Sequence, residues 1–337
     1  MAELPQKSRA VSIVGATGLV GSEIAKLLFL RKFPLGELSL FSSGRTSERR
    51  ATIAGKEFPI RPFSLGALGE PGFCFLAAGG ETSRQHAHAI ADLGHVVIDN
   101  SSAFRMHPDV PLVVPEVNAG DLRCHRGIIA NPNCSTIQMV VVLAPLHRLW
   151  ELKRVIVSTY QSVSGAGLQA TGELATHSSA ALEGRTLAPR AFADQIAFNV
   201  IPRIDVFDSE GWTGEERKLM NETRKILGDG SIEVVATAAR VPVFRCHSES
   251  VYAEFGRELD LAVVRQVLAC APGVKVVDDP ASGKYPMPVN CVGQESTFVG
   301  RLRLGPASAK ALSMWIVSDN VWKGAALNAV QIAEELL

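Results

Sequence analysis

Short apolar runs bounded by turn residues punctuate the first third of the chain. Residues 11–14, 38–41, 73–78, 96–99 and 128–130 are nearly continuous in Val, Ile, Leu, Phe and Ala, the pattern of strands buried on both faces. Between them, Leu19, Val20, Ile24, Leu27 and Leu28 recur on one side of a helix, and residues 83–93 form a second amphipathic stretch. Strand and helix in alternation predict a parallel sheet covered on both sides. An apolar helix is expected over residues 135–149, and beyond it the texture changes. Residues 154–161, 232–239, 248–255, 298–304 and 313–318 alternate apolar with polar, which predicts a second sheet, mixed or antiparallel. Residues 321–337 read as a closing helix.

At 337 residues the chain suits two domains, each able to bury its own core. Lys plus Arg and Asp plus Glu balance at 34 each, so no basic excess points to nucleic acid and no cationic face points to a membrane surface. Small neutral or anionic metabolites remain as ligands. The six cysteines show no C-x-x-C spacing, which suits reduced thiols in the cytoplasm and gives no zinc site. Gln85-His86-Ala87-His88 offers two histidines without a third ligand, so no metal is expected. The first nine residues are mostly polar, and no run of apolar residues approaches the roughly 20 that a membrane helix needs.

The first strand runs into Gly15-Ala16-Thr17-Gly18-Leu19-Val20-Gly21 and then a helix, the strand, turn and helix of a dinucleotide site. The glycines permit a tight turn, backbone approach to a pyrophosphate, and close helix packing, with the helix N-terminus facing the anion. Glycines needed only for a tight turn are the competing explanation. The second strand ends in Ser42-Ser43-Gly44-Arg45-Thr46, where an NAD enzyme would place an acid against the ribose. Hydroxyls and an arginine there suit a 2′-phosphate instead, so the cofactor expected is NADP; a solvated loop with Arg45, Arg49 and Arg50 merely exposed is the alternative.

After residue 99 the polar loop Asn100-Ser101-Ser102-Ala103-Phe104-Arg105 lies at the carboxyl edge of the sheet, where open α/β folds bind ligands. Asn131-Pro132-Asn133-Cys134-Ser135-Thr136 places a thiol where a strand gives way to a helix. Unpaired N–H groups of the first turn are expected around its sulfur, favouring the thiolate; a buried structural cysteine is the bland alternative. Gln161 stands at a strand mouth before a glycine-rich stretch. Arg240 and His247 flank Pro242, which takes that stretch out of the sheet. A histidine of near-neutral pKa there would move a proton at a carbonyl oxygen, although an ordinary turn histidine fits the spacing as well. Thr213 reads as an N-cap with Glu216 completing a capping box, while Glu215 and Lys218 share a helix face, a spacing that a surface ion pair would also explain.

The hexapeptide around Cys134 resembles the nucleophile motif of the aspartate-β-semialdehyde dehydrogenase family, and the likeness runs from Gly15 to Lys323-Gly324-Ala325-Ala326. The resemblance implies an α/β fold, with a Rossmann-type NADP-binding domain of residues 1–133 and 321–337. Residues 134–320 would form an α+β catalytic and dimerisation domain with a mixed sheet, the closing helix packing back on the first domain. It further implies reduction of β-aspartyl phosphate to aspartate semialdehyde through a cysteine thioester, in the biosynthesis of lysine, threonine and methionine.

Residue by residue, Cys134, His247 and Gln161 would be catalytic. Arg105, Asn133, Gln161, Glu215, Lys218 and Arg240 would bind substrate, Arg240 the α-carboxylate and Arg105, Asn133 and Lys218 the phosphate. Gly15, Thr17, Gly18, Leu19, Val20, Ser42, Ser43, Arg45, Thr46, Ser164, Gly165 and Asn320 would meet the cofactor. Residues 165–198 resemble the family's dimer-forming excursion, implying a homodimer or homotetramer, although their Ala, Ser and Gly would also permit a mobile loop. Two other functions compete: another phosphorylating semialdehyde dehydrogenase, such as N-acetyl-γ-glutamyl-phosphate reductase, and a catalytically silent nucleotide-binding homologue.

Overall fold

The computed structural model describes residues 8–42 and 49–337. Two compact units emerge, residues 1–132 with 325–337, and residues 133–324. Asn133 and residues 321–324 thus fall in the second unit.

The first unit is built on a seven-stranded sheet of β1 (Arg9–Val14), β2 (Leu35–Ser42), β3 (Arg49–Ile53), β4 (Lys56–Pro62), β5 (Phe73–Leu76), β6 (Val96–Asp99) and β7 (Ile128–Ala130), in the order β3-β4-β2-β1-β5-β6-β7. All neighbouring pairs are parallel except β3 with β4. The sheet is therefore mixed, where a wholly parallel one was expected. The β3–β4 hairpin turns at Ala54 and Gly55, both at positive φ, and its charged Arg49, Arg50, Lys56 and Glu57 keep the edge in solvent. The central strands are apolar on both faces because helices cover them; Ile13, Val14, Phe75 and Ile98 are fully buried, each worth about 1.5–3 kcal/mol over exposure. Chain order reverses at β1, flanked by β2 and β5, which makes its carboxyl end the switch point where such sheets bind ligands.

The closing segment opens as a π-helical turn, Trp322–Ala326, before the regular helix Leu327–Glu334, in place of one continuous helix. That helix is tied into the first unit by Arg31 to Glu334 and by the Asn328 amide to the Val113 carbonyl.

The second unit carries a six-stranded mixed sheet of β8 (Leu152–Gln161), β9 (Glu233–Arg240), β10 (His247–Phe255), β11 (Val274–Val276), β12 (Thr297–Gly305) and β13 (Ser308–Ser318), in the order β11-β12-β13-β10-β8-β9. One face is apolar along most of its length: Leu152, Val155 and Val157 of β8, Val234 and Ala236 of β9, and Val251 and Ala253 of β10. Against it pack Met139, Val142, Leu143 and Leu146 of the helix Cys134–Trp150, and Leu219 and Met220 of the helix Gly214–Leu227. Helix Leu168–Leu182 fills much of the stretch read as an excursion or a mobile loop. At the end of that face the residues turn polar: Thr159, Gln161, Arg240, His247 and Glu249 are all buried. That end forms the candidate site.

Candidate active site

Cys134 is the first residue of its helix, one residue earlier than the apolar pattern suggests. Asn133 is the N-cap, with φ −63° and ψ 143°, and its Oδ1 accepts the N–H groups of Ser135 and Thr136 at 3.0 and 3.2 Å. Those donors, expected to be unpaired around the sulfur, are therefore taken by the cap, a bond worth about 0.5–2 kcal/mol. Gly324, in the π-helical turn, lies against the cysteine; a Cβ there would stand 2.9 Å from that of Cys134. Such turns are uncommon and are found frequently at functional sites, and here one sets backbone against Cys134.

Asn133 is also the hub of a buried polar network. Its own N–H donates to Glu222 at 2.6 Å and its Nδ2 to Glu215 at 2.8 Å. Gln161 Nε2 donates to the same Glu215 oxygen at 3.0 Å, and Lys218 Nζ reaches the other at 3.2 Å. Glu215 is 5% exposed, so the surface ion pair is excluded. Burial pushes its carboxyl up, but the Lys218 charge and the hydrogen bonds from Asn133, Gln161 and Lys218 together hold it below the usual range. Lys218 also donates to Asp205 at 3.0 Å; burial lowers its pKa, yet the two carboxylates outweigh that and raise it. The neighbouring Glu216 completes the capping box with Thr213, and its second oxygen accepts the N–H of Ala238 in β9 at 3.0 Å.

Gln161 and Arg240 end β8 and β9 as a pair in parallel register. Arg240 is buried, donates from Nη1 to the Ser162 carbonyl at 2.7 Å, and interacts electrostatically with Glu215 and Cys134. Desolvation lowers its pKa against the pull of those two groups.

His247 begins β10, fully buried. The Ser162 N–H points at its Nδ1 at 3.0 Å; an N–H can only donate, so Nδ1 accepts and the neutral ring carries its proton on Nε2. Nε2 itself is buried without a hydrogen-bond partner. Burial, then the charge of Arg240, hold the imidazole well below its usual pKa, which corrects the near-neutral value expected from the sequence.

The approach to His247 is fixed by Asn320, whose Oδ1 accepts the Ser162 hydroxyl and the Cys246 N–H at 3.1 and 2.9 Å while its Nδ2 donates to Ser164 at 3.0 Å. Cys246 is held at φ +74°, a strained conformation for a side-chain residue. Gly165 leaves the space that these side chains use, since a Cβ there would stand 2.8 Å from Arg240 Nη1 and 3.2 Å from the His247 ring.

In the first unit, Gly15 sits at φ +93°, where a Cβ would lie 2.5 Å from the Ala77 carbonyl; at Gly21 it would lie 2.3 Å from that of Gly15. The turn is thus as tight as the glycine spacing implies. Gly18 caps the helix Leu19–Leu30 without a side-chain bond, and that helix has no charged residue in its first turn, so its N–H groups suit an anion. Thr17 is exposed, while Gly18, Leu19 and Val20 are half-buried. Ser42 ends β2 and is buried. Ser43, Arg45 and Thr46 lie outside the described residues. Arg105 is buried, its guanidinium on the carbonyls of Asn131 and Asn100 at 2.9 and 3.1 Å.

The sequence reading did not find Ser162, Asp205 or Glu222 as members of the second unit's network. Glu222 had a usable signal, since it lies seven residues beyond Glu215 and four beyond Lys218 on one helix face. Asp205 gave none, being a loop residue at φ +74° brought to Lys218 by tertiary structure. Among the described residues, no group of three or more His, Cys, Asp or Glu could hold a metal ion, and no helix is long and apolar enough to cross a membrane.

A doubly wound sheet with a glycine turn, followed by an α+β unit in which an arginine interacts with both a cysteine and a neutral histidine, defines a class of cysteine-bearing dinucleotide oxidoreductases. Residues 10–125 match the family described as semialdehyde dehydrogenase, NAD binding domain, and residues 143–323 that described as semialdehyde dehydrogenase, dimerisation domain. The chain is 50% identical to the aspartate-semialdehyde dehydrogenase of Aquifex aeolicus and 46% identical to that of Bacillus subtilis, over 97% of this chain and 97% and 96% of the relatives. A crystal structure of aspartate semialdehyde dehydrogenase II from Vibrio cholerae, complexed with ASA, superposes with TM-score 0.94 at 41% identity, covering 98% of both chains. The chain belongs to the aspartate-semialdehyde dehydrogenase family.

Proposed function

We propose that this chain reduces β-aspartyl phosphate to aspartate semialdehyde and phosphate with NADPH, through a thioester on Cys134. The observation that carries the reading is His247 Nε2–H, buried without a partner and next to Arg240, which in turn interacts electrostatically with Glu215 and Cys134. An unpaired buried donor costs stability unless something with an acceptor occupies the site.

Cys134 as thiolate attacks the acyl carbon, its sulfur bonding as the C–O bond to phosphate breaks. Arg240 takes the α-carboxylate in a bidentate pair. Gln161, anchored on Glu215, orients the acyl group, and neutral His247 donates Nε2–H to the oxyanion as it forms and collapses. Lys218, Arg105 and Asn133 receive the phosphate. NADPH, when bound, supplies the hydride that reduces the thioester. Gly15, Thr17, Gly18, Leu19 and Val20 would hold its pyrophosphate and Ser42, Ser43, Arg45 and Thr46 its 2′-phosphate, with Ser164, Gly165 and Asn320 at the catalytic end. The assembly is a dimer through the second unit, supported by the match to the family's dimerisation domain; pairing of two dimers gives the tetrameric alternative.

The test is phosphate-dependent reduction of NADP with aspartate semialdehyde and, separately, N-acetylglutamate semialdehyde. Turnover of the first alone supports the reading; turnover of only the second would reassign the substrate. In the same assay Arg105→Ala and Lys218→Ala weaken saturation by phosphate more than by aldehyde, with the larger loss at the bidentate arginine.

A further inference from the structure

Glu249 lies fully buried in β10, two residues beyond His247 and on the same face of the sheet. Its cross-strand partner in β8 is Thr159, whose hydroxyl accepts from Gln161 Nε2 at 3.4 Å; on the other side Ile316 of β13 stands opposite. From above, the helix Cys134–Trp150 presents Gln138, which is one turn beyond Cys134 and also fully buried. The Gln138 amide is within electrostatic reach of the Glu249 carboxyl. Among the described residues, neither carboxyl oxygen and neither amide atom has a hydrogen-bond partner, so both side chains are buried with their polar atoms unpaired.

We propose that Glu249 and Gln138 are a positioning pair that fixes the first turns of the Cys134 helix against the sheet end carrying His247 and Gln161. A carboxylic acid and a primary amide complement each other donor to acceptor, and each is the nearby group that could satisfy the other's unpaired buried atoms. Burial drives the Glu249 carboxyl well above the usual range, so it stands as the neutral acid that such pairing requires. The rest of this face below the site is apolar, with Val251 and Ala253 next along the strand. Had packing been the only requirement, an apolar side chain would serve at both positions without the desolvation cost of an acid and an amide. The pair acts through Cys134, His247 and Gln161 and touches no reacting atom, and it rests on the function proposed above.

Four variants test it: Glu249→Gln, Glu249→Leu, Gln138→Leu and the double Glu249→Leu/Gln138→Leu. Glu249→Leu is expected to lower kcat about tenfold or more with KM for aspartate semialdehyde within about twofold and no fall in Tm, because orientation and not affinity is lost. Glu249→Gln, which keeps a donor and an acceptor, stays within about threefold of wild type, and the double variant is no worse than either single one. Iodoacetamide labelling of the Cys134 peptide, followed by mass spectrometry, reads the same positioning without turnover: slower in both leucine variants, near wild type in Glu249→Gln. Unchanged labelling and kcat in Glu249→Leu, or a glutamine variant as damaged as the leucine one, overturns the proposal. Should Glu249→Leu fail to fold, Gln138→Leu carries the same readings from the helix side. A wild-type protein that labels as expected but turns over no aspartate semialdehyde would overturn the proposed function alone.

Discussion

Glu215 and Glu249 are both buried glutamates of the second unit, and their surroundings send them in opposite directions. Glu215 is held below its ordinary 4.5, so it loses its proton more readily folded than unfolded. Its stabilisation is therefore fully present above that ordinary value and is lost as pH falls through the folded-state pKa. Glu249 is raised well above 4.5; the unfolded chain releases that proton first, so stability declines as pH rises from 4.5 toward the folded-state value. No ionisable group faces Glu249 from β8, β13 or the helix, where Thr159, Ile316 and Gln138 stand; His247 is on its own strand. Thermal melts across pH should show Glu249→Gln gaining on wild type as pH rises above 4.5, by at most about 1.4 kcal/mol per pH unit, and Glu215→Gln losing on it over the acid-to-neutral rise. Parallel curves for all three proteins would contradict both assignments. Glu216 has a third use: Glu216→Ala removes the capping box and the acceptor for Ala238, so a stability loss of about 1–3 kcal/mol is expected with turnover largely kept.

At the scale of elements, the candidate site of the second unit is the meeting of one helix start, three strand ends and the turn at Gly165, and each was legible to a different degree. The Cys134 helix start and the exits of β8 and β9 showed in the sequence because Asn, Pro and Gly punctuate apolar runs there. The Thr213 to Glu216 capping box was equally local, and the structure contains both of its bonds. The β3–β4 hairpin did not show, since an edge pair with charges on its strands lacks the apolar run that marks the interior ones. The low pKa of His247 was also invisible: it comes from burial and from Arg240, which stands seven residues away in the sequence but beside it in the fold. Gly165 makes that proximity testable. Gly165→Ala drives a methyl into the tips of Arg240 and His247, so the expected result is a kcat/KM loss of about tenfold or more with Tm nearly unchanged, because flexible side chains yield where backbone would not. Wild-type kinetics in that variant would mean that Arg240 and His247 need no fixed placement.

For the whole molecule, two units with separate cores explain why one chain matches a nucleotide-binding family and a dimerisation family in succession. That a second unit follows was readable from the change of period beyond the Cys134 helix, from continuous apolar runs to alternation, while the boundary itself falls before that helix. The outer face of the second sheet exposes Ile156 and Tyr160, with Trp315 packed on the tyrosine. If that face joins two copies, Ile156→Arg should shift the sedimentation coefficient from dimer to monomer; a variant that remains dimeric would move the interface elsewhere.

All of this chemistry passes through one covalent bond. Rapid-quench mass spectrometry of the enzyme mixed with β-aspartyl phosphate in the absence of NADPH reads that bond directly. An aspartyl adduct on the Cys134 peptide, absent from Cys134→Ser and discharged when NADPH is added before the quench, is the predicted result. Turnover of aspartate semialdehyde by wild type with no adduct on Cys134, or with the adduct on another residue, would contradict the thioester mechanism.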